Sequence, residues 1–265
     1  MGQPLGQHFL GDSQVIKAFA EWVDFKGQRV LEVGAGTGTL TVALCRQKPK
    51  WLVALEKDEA LLPKLNERLK DAKAKNVQVV QADVSDYPFG DFDWVVGNIP
   101  FYLSSEILFK TLDADSNASG LFFLQKEFAD RLVAKPGTPQ WGRLSVNAQN
   151  HADVAVAMDV SRYSFTPPPE VDVSIVILRR KTPNAIDERL VELLFSHKNQ
   201  NVKKAFEHSW AALGLSKKEA KEKGAGLPFA KRRVRELTLE EWVTLSAANR
   251  QTKTMKYSKA CKFHD

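Results

Sequence analysis

Between Gln28 and Val96, short β-branched or apolar runs take turns with stretches of helical spacing, and few folds accept that rhythm. RVLEVGAG, WLVALEKD, VQVVQAD and FDWVVGN read as strands, and EALLPKLNERLKDAKA between two of them carries its apolar residues on one helical face. Strands that are apolar throughout need cover on both faces. Alternation with helices supplies that cover and predicts parallel crossover units, hence an α/β doubly wound sheet. SGLFFLQKEF and VDVSIVILRR, the latter after the TPPPE turn, extend the set of buried strands, and no internal repeat is apparent.

The pattern stops near residue 182, where Pro183 and Asn184 interrupt it. Residues 1–182 are therefore expected to form the α/β domain and 183–250 a small helical one. Ser216 and Thr238 each stand three residues ahead of a glutamate, the signature of a capping box at a helix start. The last stretch, 251–265, has little periodicity and reads as a mobile tail.

Charge divides along the same line. The net +6 of the chain comes from its end: residues 196–265 hold 16 Lys/Arg against 7 Asp/Glu, and the rest holds 22 against 25. A basic segment of this kind suits a nucleic-acid backbone, and a solvated lysine-rich helical surface has the same composition. No run approaches the length of a membrane span, and the start lacks a signal pattern, so cytoplasmic residence is the expectation. Cys45 and Cys261 are far apart and belong to no Cys/His cluster, which speaks against both a disulfide framework and a metal centre.

Two stretches carry candidate chemistry. LEVGAGTGTL places Gly34, Gly36 and Gly38 between a strand and a helix, where glycine permits a tight turn and a ligand can lie against free helix N–H groups. Its GxGxG spacing differs from the dinucleotide fingerprint. Glu56 ends the next strand about 20 residues on, where such folds place an acid on ribose hydroxyls. Asp83 ends the strand after that, where it suits either an adenine amino group or a helix cap. Together the three point to a nucleoside cofactor at the carboxyl edge of the sheet.

The second stretch, GNIPF, follows the fourth strand and so reaches the same edge. Asn98 offers a side-chain carbonyl, Pro100 presents carbonyl oxygens without a competing N–H, and Phe101 and Tyr102 add flat faces for a base. A strand-ending turn with core aromatics would have the same residues.

LGQHFL, LEVGAGTGTL, GNIPF, LQKEFADRLVA, GRLSV and FTPPPEVDVSIV, in this order and spacing, resemble the ribosomal RNA adenine N6-dimethyltransferases that act near the 3′ end of small-subunit rRNA. The resemblance is close over residues 3–180 and looser through KNQNVKKAF and RRVRELTLEEW. It implies a class I methyltransferase fold, S-adenosylmethionine as donor, and dimethylation of N6 on two adjacent adenosines, with small-subunit rRNA, in a partly assembled subunit, as partner. It carries cofactor binding onto His8, Leu10, Gly34, Glu56, Asp83 and Asn98, catalysis onto Asn98, Pro100 and Phe101, and an aromatic facing the target base onto Phe165. The family commonly has asparagine at the place of His8 and tyrosine at that of Phe101, which keeps the ring and loses a hydroxyl. Two rivals stand beside this reading: a large-subunit rRNA adenine methyltransferase of the antibiotic-resistance type, which shares GNIPF, and a non-catalytic RNA-binding assembly or transcription factor of the same fold.

Overall fold

A computed structural model describes residues 8–113 and 116–260, with 251–260 as backbone only. It opens with β1 (Phe9–Leu10), α1 (Ser13–Glu21), β2 (Arg29–Val33), α2 (Thr39–Arg46), β3 (Trp51–Glu56), α3 (Leu62–Asp71) and β4 (Val77–Gln81). There follow β5 (Trp94–Asn98), α4 (Ser104–Leu112), β6 (Ser119–Gln125), α5 (Lys126–Leu132), α6 (Arg143–His151), β7 (Ala152–Val160), β8 (Phe165–Thr166) and β9 (Val173–Arg180). The helices α7 (Glu188–Phe195), α8 (Val202–His208), α9 (Lys217–Gly226) and α10 (Leu239–Ala260) complete the chain.

Two compact units share these elements: Met1–Asp130 with Ala152–Lys181, and Arg131–His151 with Thr182–Asp265. The segment Arg131–His151 thus goes with the helices, a division that one cut near residue 182 does not describe. Its Trp141 and Val146 join Leu190, Leu194, Phe206 and Trp242 in the apolar core of the second unit. Of the tail expected from 251, residues 251–260 belong to α10 and 261–265, with Cys261, lie outside the described residues.

The first unit is a seven-stranded sheet in the order β4-β3-β2-β5-β6-β9-β7. The five strands from β4 to β6 run parallel, and β9 lies antiparallel to both β6 and β7. Val30, Leu52, Trp94, Val96, Leu121 and Phe123 pack with α1 and α2 on one face. Their neighbours Leu31, Val53, Val95 and Phe122 are buried as well, so both faces are covered, as runs without polar alternation require. Phe19 of α1 stacks on Phe123 with ring centres 4.5 Å apart, which seats the first helix on the middle of the sheet. Asp12 starts that helix by accepting from the N–H groups of Gln14 and Val15.

β7 was absent from the expected strands. It is an edge strand, half exposed, with a bulge between Val156 and Met158, so its small apolar residues form no continuous run. In the second unit the capping boxes form as expected: the N–H of Glu219 donates to Ser216 Oγ and that of Ser216 to Glu219, and Thr238 and Glu241 exchange the same pair. Among the described residues no helix is long and apolar enough to cross a membrane.

Candidate active site

The glycine loop closes the gap between β2 and α2, and its backbone explains its composition. Gly34, Gly36 and Gly38 have φ of 72°, 57° and 82°, the left-handed region that only glycine enters at little cost. The N–H groups of Gly34 and Ala35 both donate to the Leu55 carbonyl, at 2.9 and 3.0 Å, which ties the loop to the end of β3. One residue on, Glu56 is buried and holds the loop with its carboxylate. Oε2 accepts from the Gly36 N–H at 2.7 Å and Oε1 from the Asp58 N–H at 2.8 Å. Each oxygen keeps a second lone pair for a ligand hydroxyl. From α3, Arg68 donates to Thr37 and Thr39 in the same loop.

β5 lies beside β2 and delivers GNIPF to this loop. Gly97 is required by proximity: a Cβ there would sit 2.4 Å from the Val33 carbonyl oxygen. Asn98 donates from Nδ2 to the His8 carbonyl at 2.7 Å, which fixes the amide and leaves Oδ1 as an acceptor. His8 is itself held, its Nδ1–H donating to the Pro167 carbonyl at 2.8 Å and its ring stacked on Phe101 with centres 5.9 Å apart. The Pro100 carbonyl accepts from the Leu103 N–H at 2.9 Å and retains one lone pair.

A cleft with about 880 Å³ of empty space, open mouth included, lies between these segments. The structure brings His8, Leu10, Gly34, Glu56, Asn98, Pro100, Phe101 and Phe165 together on its walls. The pairing of β1 with β8 sets Leu10 opposite Phe165. Phe165 is only 2% exposed and meets Phe123 edge to face, so most of its ring serves the core. Asp83 is not among the lining residues. It ion-pairs with Lys57 at 2.6 Å and accepts from the Ser85 N–H at 3.0 Å, and these partners hold its carboxyl below the usual range.

One lining residue escaped the sequence reading. Glu32, on β2 and 1% exposed, has an Oε2 with no hydrogen-bond partner. Burial pushes its carboxyl up to about 8; the nearby Thr41 hydroxyl works against the rise, and the charge of Glu56 adds to it. A lone acid inside an apolar strand run was the available signal, hidden because LEVG reads naturally as strand then turn. Cys45, by contrast, is a packing residue: burial raises its thiol to about 11, far from thiolate formation at neutral pH.

The strand order, the antiparallel β9 and the glycine loop answered by an acid at the next strand end define a class I methyltransferase. Residues 3–223 match the family model described as "Ribosomal RNA adenine dimethylase". The chain belongs to that family. Proteins named "Probable ribosomal RNA small subunit methyltransferase A" are similar to it: that of Thermococcus sibiricus is 34% identical over 89% of this chain and 88% of its own length. That of Pyrococcus furiosus is 36% identical over the same shares. Among solved structures, a dimethyladenosine transferase from Plasmodium falciparum superposes with a TM-score of 0.81 at 25% identity, covering 93% of this chain and 98% of its own. The 23S rRNA methyltransferase ErmE superposes with 0.69 at 26%, covering 92% and 100%.

Membership implies S-adenosylmethionine as methyl donor. The cleft suits a polar, cationic nucleoside. Glu56 retains lone pairs for hydroxyls, the loop lacks side chains at Gly34 and Gly36, and the unpartnered Glu32 oxygen would gain most from a positive group.

Proposed function

We propose that the protein methylates N6 of two adjacent adenosines near the 3′ end of small-subunit rRNA, twice each, in partly assembled subunits in the cytoplasm. The observation that carries this reading is the fixed amide of Asn98. Its Nδ2 is committed to the His8 carbonyl, so Oδ1 can only accept. N6 of adenine is a poor nucleophile because its lone pair is delocalised into the ring. Asn98 Oδ1 and the remaining lone pair of the Pro100 carbonyl accept its two N–H bonds and favour a pyramidal nitrogen whose lone pair is available for attack. When bound, S-adenosylmethionine supplies an electrophilic methyl on a sulfonium. Glu56 and Gly34 hold the donor, and His8 and Leu10 border it. Phe101 offers a ring face to the base, and Phe165 a ring edge from the cleft wall. Asp83 reaches an adenine amino group only by a lone pair that Lys57 and Ser85 leave over. Positioning and electrostatics do the work, and the proton leaves N6 after attack, so no general base is required.

The small-subunit substrate follows the names of the relatives, and the second unit supports an RNA partner. Its two basic stretches, KNQNVKK and FAKRRVR, lie side by side: the Val202 N–H donates to the Arg232 carbonyl at 2.8 Å and the Val234 N–H to that of Gln200 at 3.0 Å. Residues thirty positions apart thus build one basic surface for phosphates.

The test is transfer of labelled methyl to unmethylated small or large subunits, followed by mapping. Label is expected on adjacent small-subunit adenosines. Asn98→Ala should abolish transfer while donor binding changes little. Label confined to the large subunit would establish the antibiotic-resistance type instead, label in neither a binding factor, and near-normal turnover by Asn98→Ala would sink the mechanism.

A further inference from the structure

Most large apolar side chains of the described residues are covered, and the two most exposed are both tyrosines that stand one or two residues from a lining residue of the cleft. Tyr102 is 66% exposed and Tyr163 73%. Tyr102 follows Phe101 in the short 3-10 turn Phe101–Leu103, and Tyr163 sits in the turn Arg162–Ser164 that leads directly into Phe165. Tyr102 thus adjoins the lining residue Phe101 and Tyr163 stands two residues before the lining residue Phe165, each with its own ring turned to solvent.

The turn that carries Tyr102 is closed by the Leu103 N–H donating to the Pro100 carbonyl at 2.9 Å, and that of Tyr163 is tied down more heavily. The Ser164 carbonyl accepts from the N–H groups of Gly11 and Asp12 at 2.9 and 3.3 Å, and Ser164 Oγ donates to Asp12 Oδ2 at 3.2 Å. Arg162 then fixes the tyrosine itself. Its guanidinium lies 5.1 Å from the ring centre, one nitrogen donates to Tyr163 Oη at 3.1 Å, and another donates to the Glu170 carbonyl at 2.9 Å. A ring pinned beside a cation, and still three-quarters exposed, is the arrangement that receives an unstacked base next to its phosphate.

We infer that Tyr102 and Tyr163 are stacking platforms for the nucleotides that flank the target adenosine on either side. The inference rests on the RNA substrate proposed above. An adenosine that enters the cleft must leave its neighbours, and those neighbours lose stacking partners when it does. Exposed rings on the two bordering segments replace those partners. The tyrosines touch flanking bases and no reacting atom, so they are positioning residues: their contribution belongs to RNA affinity, and the methyl-transfer step at saturation should not need them.

The experiment compares the wild type with Tyr102→Ala, Tyr163→Ala, the double variant and the two Tyr→Phe variants. It reads KM and kcat on unmethylated subunits, donor affinity by calorimetry, and quenching of 2-aminopurine placed beside the target in a short single-stranded RNA. The double alanine variant should raise KM by about tenfold or more, leave kcat within twofold, leave donor affinity unchanged and lose the quenching. The phenylalanine variants should retain wild-type KM. A double variant with wild-type KM and wild-type quenching would overturn the inference. A wild type that labels no subunit would overturn the proposed function instead. The quenching comparison would then still decide whether the tyrosines stack on bases.

Discussion

Replacing Glu32 by glutamine removes a titration and almost nothing else. The side chains have the same shape, Glu32 Oε2 meets no hydrogen-bond partner at normal geometry, and glutamine still offers an oxygen to the neighbouring Thr41 hydroxyl. With a folded value of about 8 against an ordinary 4.5, the native protein holds one proton more than the unfolded chain across that window. Stability should therefore fall as pH rises, by about 1.4 kcal/mol per pH unit. Between pH 5 and 8 the wild type should lose roughly 3 to 4 kcal/mol relative to Glu32→Gln, in which this titration is missing. The readout must be local, since the chain has two compact units. Opening free energies from exchange of the β2 amides of Val30, Leu31 and Val33, measured at pH 5, 6, 7 and 8, supply it. Saturating donor should shrink the slope, as a cationic ligand favours the ionised acid. A difference between the two proteins that stays flat from pH 5 to 8 would refute the buried, protonated acid.

Gly97→Ala should destabilise the sheet by about 3 kcal/mol or more, because its methyl group meets the Val33 carbonyl oxygen in neighbouring β2, where neither strand can yield; the fall in melting temperature measures it. In the second unit, Lys204→Ala with Lys231→Ala should weaken binding to single-stranded rRNA and lower the slope of log K against log salt by roughly 0.7 for each phosphate no longer neutralised. An unchanged slope would make that surface a solvated face.

The six long strands from β2 to β6 and β9 were legible because each is a short stretch rich in β-branched or apolar residues, and the glycine loop, Glu56 and GNIPF were legible because local spacing places them at strand ends. What was hidden depends on partners distant in sequence. The two-residue strands β1 and β8 exist only as a pair, with Phe9 opposite Thr166, and have no periodicity to read. Asp83 was expected at an adenine. The register that sets Glu56 beside Gln81 brings Lys57 to it, and no reading of either strand alone shows that pair. Phe165 was expected to face a base, yet its edge-to-face contact with Phe123 draws most of the ring into the core.

The pairing of β1 with β8 holds His8 beside Asn98, and under the mechanism proposed above the two halves of His8 can be told apart. Its backbone carbonyl fixes Asn98, and its ring stacks on Phe101. His8→Ala keeps the carbonyl and removes the ring, together with the Nδ1–H bond to the Pro167 carbonyl. Asn98 should stay oriented, so kcat should fall by about 5- to 150-fold at most, the loss of one ring pair and one hydrogen bond. Removing residues 1–10 deletes the carbonyl as well and frees the amide to rotate. Its Oδ1 then no longer faces N6 by default, and turnover should fall toward that of Asn98→Ala, with the Glu56 anchors of the glycine loop intact and donor binding weakened far less. If His8→Ala proves as inactive as the truncation, the ring and its bond to Pro167, rather than the carbonyl, set the geometry of the amide.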